Sequence, residues 1–386
     1  MAITHRAVTA FAFATVGLLS ACGPRDSALT APPTAPPHPT APATLPASAT
    51  PTAAANDPAI AAFWQWWQTA APRVAQAIDA RRSADLVAEI NSQVDKVHPD
   101  LAWELGPGMT AKNSLTLSAE GDPELRVVAE RWLTAAPPAD ANWQYFAARQ
   151  AQPLGRLTLQ MDEVDLPPNG FAIAAIFDDS HGLVHLKAYH PNLHLVSEKH
   201  RLHAVFLLLD GLLGEDNVER WLGGVEIAPQ PLADGVPLAE FLQRFTLWTA
   251  LIGRDHVVVL RSTSLTGTPV VATVNVGVKR VDHLLLDQHV KVTLDGPSAL
   301  GGPPLSAADL ETLLDKQQAA ILAVVGSDAV FIASEQLGRQ RLLHLHAAAS
   351  GPVEGRLRNW LKAHGGQGIG LSFAADPRWE VLQKWR

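Results

Sequence analysis

Hydrophobic and polar positions follow three different regimes along this chain: an apolar run over residues 7–19, a stretch over 26–56 with no periodicity at all, and regular spacings from 57 onward. Asp57 and Pro58 read as a helix cap followed by proline at the first helical position, and Ile60, Phe63, Trp64 and Trp67 then fall at helical spacing. Pro72 is expected to end or kink that helix. A second helix begins near Ser83, carries Leu86, Ile90, Val94 and Val97 on one side, and stops before Pro99. Residues 101–105 and 114–119 read as paired strands across a Gly-Pro-Gly turn region. Asp122 and Pro123 start a third helix with Leu125, Val128 and Trp132 inward, ended by Pro137 and Pro138, and residues 143–148 form a further strand.

Farther on, residues 171–177 and 183–189 read as the strands of a hairpin whose turn is 178–182. On the second strand Val184, Leu186 and Ala188 point inward while His185, Lys187 and Tyr189 share the solvent face. Strands at 289–294, 329–333, 341–347 and 368–373, with helices at 306–322 and 353–363, give the order strand, helix, strand, strand, helix, strand. That is the order of a ferredoxin-like plait with both helices on one sheet face. Ala308, Leu310, Leu313 and Leu314 supply the apolar side of the first of these helices, and Leu357, Trp360 and Leu361 that of the second. The expected class is α+β, with two ferredoxin-like lobes over residues 57–235 and 236–386.

The N-terminal regimes speak of location. Arg6 without an acid, the apolar run and the small residues before Cys22 make the three-part layout of an export signal over residues 1–21. About thirteen apolar residues fall short of the roughly twenty that a membrane-crossing helix needs. The tetrad Leu19, Ser20, Ala21, Cys22 resembles the lipobox of bacterial lipoproteins. The resemblance implies cleavage before Cys22, a diacylglycerol on its sulfur and an acyl group on the new amine, hence an anchor in the membrane. Gly23 stands where the familiar enterobacterial retention signal has aspartate, which implies an outer-membrane destination facing the periplasm in a diderm host. Cys22 is the chain's single cysteine, so no intrachain disulfide forms.

Residues 22–56, rich in Pro, Ala and Thr, read as a tether of polyproline character or a plain spacer. At roughly 3.1 Å per residue it reaches on the order of 90 Å. The formal net charge is −8, without basic runs, which argues against nucleic acid and against a polybasic membrane face.

Four strings, VHPDLAWELGP, SLTLSAEGDPE, LTAAPPADANW and FLLLDGLLGEDNVERWLGGVEI, resemble a widespread bacterial family of unknown function over residues 63–227. The closing AADPRWEVLQKW is similar to the tail of domain-of-unknown-function family 695, whose fold is related to that of the regulator of ribonuclease activity B. That relative acts by binding a protein. Neither resemblance implies catalytic residues.

The densest candidate chemistry lies between Phe177 and His203, where Asp178, Asp179, His181, His185, His200 and His203 stand with His190 and His194. Imidazole and carboxylate are the usual donors to zinc and other divalent ions, so this set is a candidate metal site. No HExxH spacing is present, and surface or structural histidines are the alternative reading. Asp210, Glu215 and Asp216 form an acidic set that reads as capping a short helix to Trp221 or as paired acid and base. There is no GxSxG elbow and no phosphate loop. Of the eleven tryptophans, Trp66 lies off the face of Trp64 and Trp67, either as an anchor for a partner or sugar ring or as packing between the lobes. Three classes of function remain: an envelope lipoprotein that binds another protein, in its narrower version an immunity or inhibitor lipoprotein; a metal-dependent hydrolase that uses residues 178–203; and a cell-wall or glycan-binding module.

Overall fold

The computed structural model describes residues 57–252, 256–264, 266–297, 301, 303–364, 368–383 and 385. The signal, Cys22 and the tether lie outside the described residues. Among the described residues no helix is long and apolar enough to cross a membrane.

Helix α1 (Pro58–Asp79) starts where the sequence places it, with the Asp57 carboxylate accepting from the amides of Ala59 and Ile60. It runs through Pro72 instead of stopping there. A mid-helix proline costs about 3 kcal/mol, and the burial of Trp67, Ala70 and Val74 on either side offsets it. A 3₁₀ turn (Ser83–Leu86) leads into α2 (Val87–Val97). Strands β1 (Ala102–Gly106) and β2 (Asn113–Ser118) pair antiparallel. Helix α3 (Pro123–Thr134) crosses over to β3 (Trp143–Phe146), which pairs parallel with β2. Phe63, Trp64, Trp67, Trp132 and Trp143 fill the space between the helices and this three-stranded sheet. Their indoles are satisfied locally: Trp64 Nε1 donates to the Trp132 carbonyl at 2.9 Å and Trp67 Nε1 to the Tyr145 hydroxyl at 3.1 Å.

A short ribbon of β4 (Gln160–Met161) and β5 (Val164–Asp165) precedes the hairpin of β6 (Ala172–Asp178) and β7 (Leu183–Tyr189). Helices α4 (Glu198–Leu213) and α5 (Glu215–Trp221) follow, then β8 (Leu222–Ile227), β9 (Val236–Pro237) and α6 (Leu238–Ile252). The middle sheet has the order β8-β7-β6-β9. Its core joins Ile173, Val184 and Leu186 to Leu208 of α4 and to Phe241 and Phe245 of α6, so it continues past residue 235 to Ile252. The strands from 102 to 237 therefore fall into two sheets and a ribbon rather than the single plait expected there. The hairpin's inward residues are covered by α4 and α6 in a core of their own, and its strand edges pair with β8 and β9.

The last sheet contains β10 (Val257–Thr263), β11 (Pro269–Asn275), β12 (Gln288–Asp295), β13 (Ala329–Leu337), β14 (Gln340–Ala347) and β15 (Ile369–Ala375), all antiparallel in the order β10-β11-β13-β14-β12-β15. Helices α7 (Ala307–Val325) and α8 (Val353–Ala363) cover one face, meeting Val290, Val292, Leu294, Leu343 and Leu345. The short α9 (Glu380–Gln383), with Trp379, Leu382 and Trp385, packs with Val274 and Ile332 in a separate core.

Candidate functional site

Period-two alternation assigns the side chains of β14 to two environments. Leu343, Leu345 and Ala347 face the helices, which puts His344 and His346 on the opposite face. His289 of β12 stands directly across from His346. Its Nε2 lies 3.1 Å from His344 Nδ1, and His344 Nε2 lies 3.4 Å from a carboxylate oxygen of Glu335 on β13. His346 Nδ1 is 3.3 Å from the Leu286 carbonyl, and its Nε2 is 3.5 Å from Asp376 Oδ2.

The C-terminal tail closes this face. Trp379 stacks on His346 with ring centroids 4.2 Å apart, and Trp385 meets His344 edge-on at 5.1 Å. Asp376 accepts from the amides of Glu380 and Val381, capping α9, and the Trp379 indole donates to the Leu286 carbonyl at 2.8 Å. Trp379 holds a left-handed backbone with φ +53°, a strain that costs a bulky residue about 1–2 kcal/mol and that its burial supports. Burial first, and the neighbouring His289 and His344 rings second, push His346 down to about 3, so it is neutral in the fold. Rings enclosed in this way meet tryptophan rather than a substrate.

A second cluster joins the three sheets. The guanidinium of Arg126, on α3, donates to the Ala147 carbonyl at 2.6 Å, pairs with Asp216, and lies 3.4 Å from Glu219 of α5. Glu219 in turn pairs with Arg280 at 2.5 Å, and Arg280 donates to the carbonyls of Pro123 and Pro377. Next to these, Arg149 pairs with Glu104 and, at 3.0 Å, with Glu120. Buried Glu215 accepts from Ser118 Oγ at 2.9 Å and from the Arg149 amide at 3.1 Å. Asp210 is pushed up to about 7, chiefly by burial and then by Glu215, against the pull of Arg149. Burial also raises Glu130. A cavity of about 250 Å³ opens here, lined in part by Arg126, Glu130, Gln150 and Asp216.

Of the acidic set read from the sequence, Glu215 and Asp216 are first-turn residues of α5 while Asp210 lies on α4; Asp216 pairs with Arg126, and Glu215 accepts from Ser118 and the Arg149 amide, so the two do not pair with each other. The histidine-rich segment behaves differently. Asp178 pairs with His181 at 2.6 Å in the hairpin turn, while Asp179 accepts the Trp248 indole at 2.7 Å. His185 accepts the Gly224 amide at 3.1 Å. His200 pairs with Asp162 at 2.6 Å, beside Ser197, and His203 lies exposed on α4. His190 is buried against Phe171, and His194 contacts the Pro191 carbonyl at 2.7 Å. Among the described residues no three His, Cys, Asp or Glu gather as a metal ion would require. β7, the hairpin turn and the start of α4 present the six candidate ligands in different places: Asp178 and His181 bond each other, Asp179, His185 and His200 bond other neighbours, and His203 is exposed. Trp66 is half-buried within the first core, its indole donating to Glu89 at 3.0 Å, and Arg73 holds the same carboxylate.

Sequence reading missed the histidine face, although Leu-His-Leu-His-Ala within a strand, read at period two, signals it. It also passed over α6, β10 and β11, although the Val257–Leu260 run is rich in β-branched residues. Compared with protein families, curated proteins and solved structures, the chain matches none.

Proposed function

We propose that the protein is a lipoprotein of the bacterial envelope, anchored through a lipid on Cys22 and probing for its partner at the end of the 22–56 tether, whose folded part binds another protein without catalysing a reaction. The observation that carries this reading is exposed large apolar residues in pairs on two elements, Leu247 and Leu251 one turn apart near the end of α6 and Val257 and Val259 on one face of β10, the last two 57% and 51% exposed. Water-exposed apolar groups near one another mark interaction sites. The charged and histidine clusters are spent on internal partners, which favours scaffold roles for them. The six-stranded sheet supports a reading as a ferredoxin-like plait, since β12, α7, β13, β14, α8 and β15 follow that order and the strands lie as β13-β14-β12-β15, with β10 and β11 added at one edge. Such a fold hosts many functions, so it is the exposed edge and not the plait that favours binding.

The test is crosslinking in living cells followed by purification and mass spectrometry, with an unanchored Cys22→Ala form as control. One envelope protein recovered near stoichiometry, and lost or reduced in the control, is the expected result. Recovery of no partner would overturn the binding role.

A further inference from the structure

The six-stranded sheet ends at β10, and the hydrogen bonds to β11 determine which backbone groups of β10 remain outside the ladder. Val257 pairs with Asn275 and Thr263 with Pro269. One residue beyond each end, the Val276 amide donates to the His256 carbonyl at 2.8 Å, and the Ser264 amide to the Thr268 carbonyl at 2.8 Å. In an antiparallel pair, inward-bonded residues alternate with outward-facing ones. Even-numbered residues from His256 to Ser264 are therefore bonded to β11, and Val257, Val259 and Arg261 turn both N–H and C=O to the open edge.

The side chains of these same residues are exposed. Val259 lies across from Thr273, Thr273 from Ser334, and Ser334 from Leu343, so Val259 shares the face that α7 and α8 cover farther along the sheet. On the other face Val258 and Leu260 pack against the Trp379 core and are only half-buried. An added strand would find apolar surface on both faces. Arg261 makes no ion pair among the described residues.

Deepening the protein-binding reading and resting on it, we infer that β10 receives an extended segment of a partner protein as a seventh strand, with apolar side chains beside Val257 and Val259 and a carboxylate opposite Arg261. Backbone pairing supplies affinity and the side-chain pattern supplies selectivity. A second copy of the chain fits less well, because the sequence Val-Val-Val-Leu-Arg-Ser-Thr of β10 brings no acid to Arg261. The chain's own residues 26–56 fit less well again, since their frequent prolines lack the N–H groups that pairing uses.

The test uses the full mature chain in detergent and an eight-residue peptide alternating valine and threonine, with one glutamate set to meet Arg261. Amide exchange is read by NMR. The expected result is at least tenfold slower exchange at Val257, Val259 and Arg261, with Val258 and Leu260 unchanged, and loss of the effect when the peptide's pairing amides are N-methylated. Arg261→Glu should weaken the glutamate peptide at least threefold, and lysine in the peptide should restore binding. Val259→Pro removes an outward donor without breaking a bond to β11 and should weaken binding at least tenfold. No slowing at millimolar peptide, or binding indifferent to N-methylation, would overturn the inference. A concentration-dependent dimer that Val259→Pro abolishes would overturn it in favour of a second copy. An envelope partner captured equally by the parent and Val259→Pro would overturn the edge while leaving the binding role intact.

Discussion

The junction around Arg126 and the histidine face beneath Trp379 both bury polar groups, yet they hold the fold in opposite ways. At the junction, Arg126 is kept protonated, burial working against it and Asp216, Glu215 and Glu219 prevailing. At the histidine face, burial prevails and His346 stays neutral. The difference lies in the supply of countercharge. Three carboxylates converge on Arg126, whereas His346 meets two other rings, a carbonyl, an indole and one carboxylate at 3.5 Å. The first arrangement tolerates mild acid, and the second does not.

The largest effect should come from breaking the junction. Arg126→Ala leaves the Ala147 carbonyl and half-exposed Asp216 without their guanidinium, Glu219 keeping Arg280, and should cost about 1.5–3 kcal/mol, the range for hydrogen bonds to a charged group, read by urea unfolding at pH 7. A loss below 1 kcal/mol would show that the junction is solvated and that the comparison is mistaken.

Acid should act next on the histidine face. The folded state holds His346 near 3 while the unfolded chain takes up the proton near 6.5. The unfolded state therefore binds more protons within that window, and stability falls as pH drops from about 6.5 toward 3, by at most about 1.4 kcal/mol per pH unit for this one group. His190, also lowered by burial, adds in the same direction. His346→Gln should flatten the slope between pH 6.5 and 4.5, above the range in which Asp162 and Asp178 titrate; an unchanged slope would assign it elsewhere.

Asp210 sharpens the contrast from within the junction. Its proton is held to about 7 in the fold but leaves the unfolded chain near 3.8, so stability declines as pH rises between those values and is level above. Asp210→Asn should be stabilising at pH 8 by about 1–2 kcal/mol, on the scale of one pKa unit or slightly more, and less so at pH 5. The reverse ranking would mean that Arg149 dominates burial. Smallest of all, Trp66→Phe deletes one half-buried hydrogen bond to Glu89 and should cost about 0.5–1.5 kcal/mol in thermal unfolding, with no change in partner binding; lost binding would restore Trp66 as an anchor.

Much of the fold was legible because local chemistry decides it. Asp57 and Asp122, each followed by proline, cap α1 and α3 as their types require. Alternation exposed the β6–β7 hairpin and four of the six strands of the last sheet, β12 to β15, but not β10 and β11. Pro72 misled because tertiary burial outweighed a local cost. The pairing of strands into separate sheets depends on which helix covers which face, and spacing does not encode that. The site was less legible. Histidine density drew attention to residues 178–203, where His181, His185, His190, His194 and His200 each find a different neighbour and His203 is exposed, whereas His289, His344 and His346 meet only through strand register. Arg126, set between Leu125 and Val127, looks like any solvent-facing helix residue until α5 packs over it.

β10 is the proposed docking edge for a partner protein of the envelope. Live-cell crosslinking of the parent chain beside Val259→Pro, with folding of both checked by unfolding curves, tests it most directly. One near-stoichiometric partner seen with the parent and lost with Val259→Pro is the predicted result. The same partner with both chains, or none with either, would contradict it.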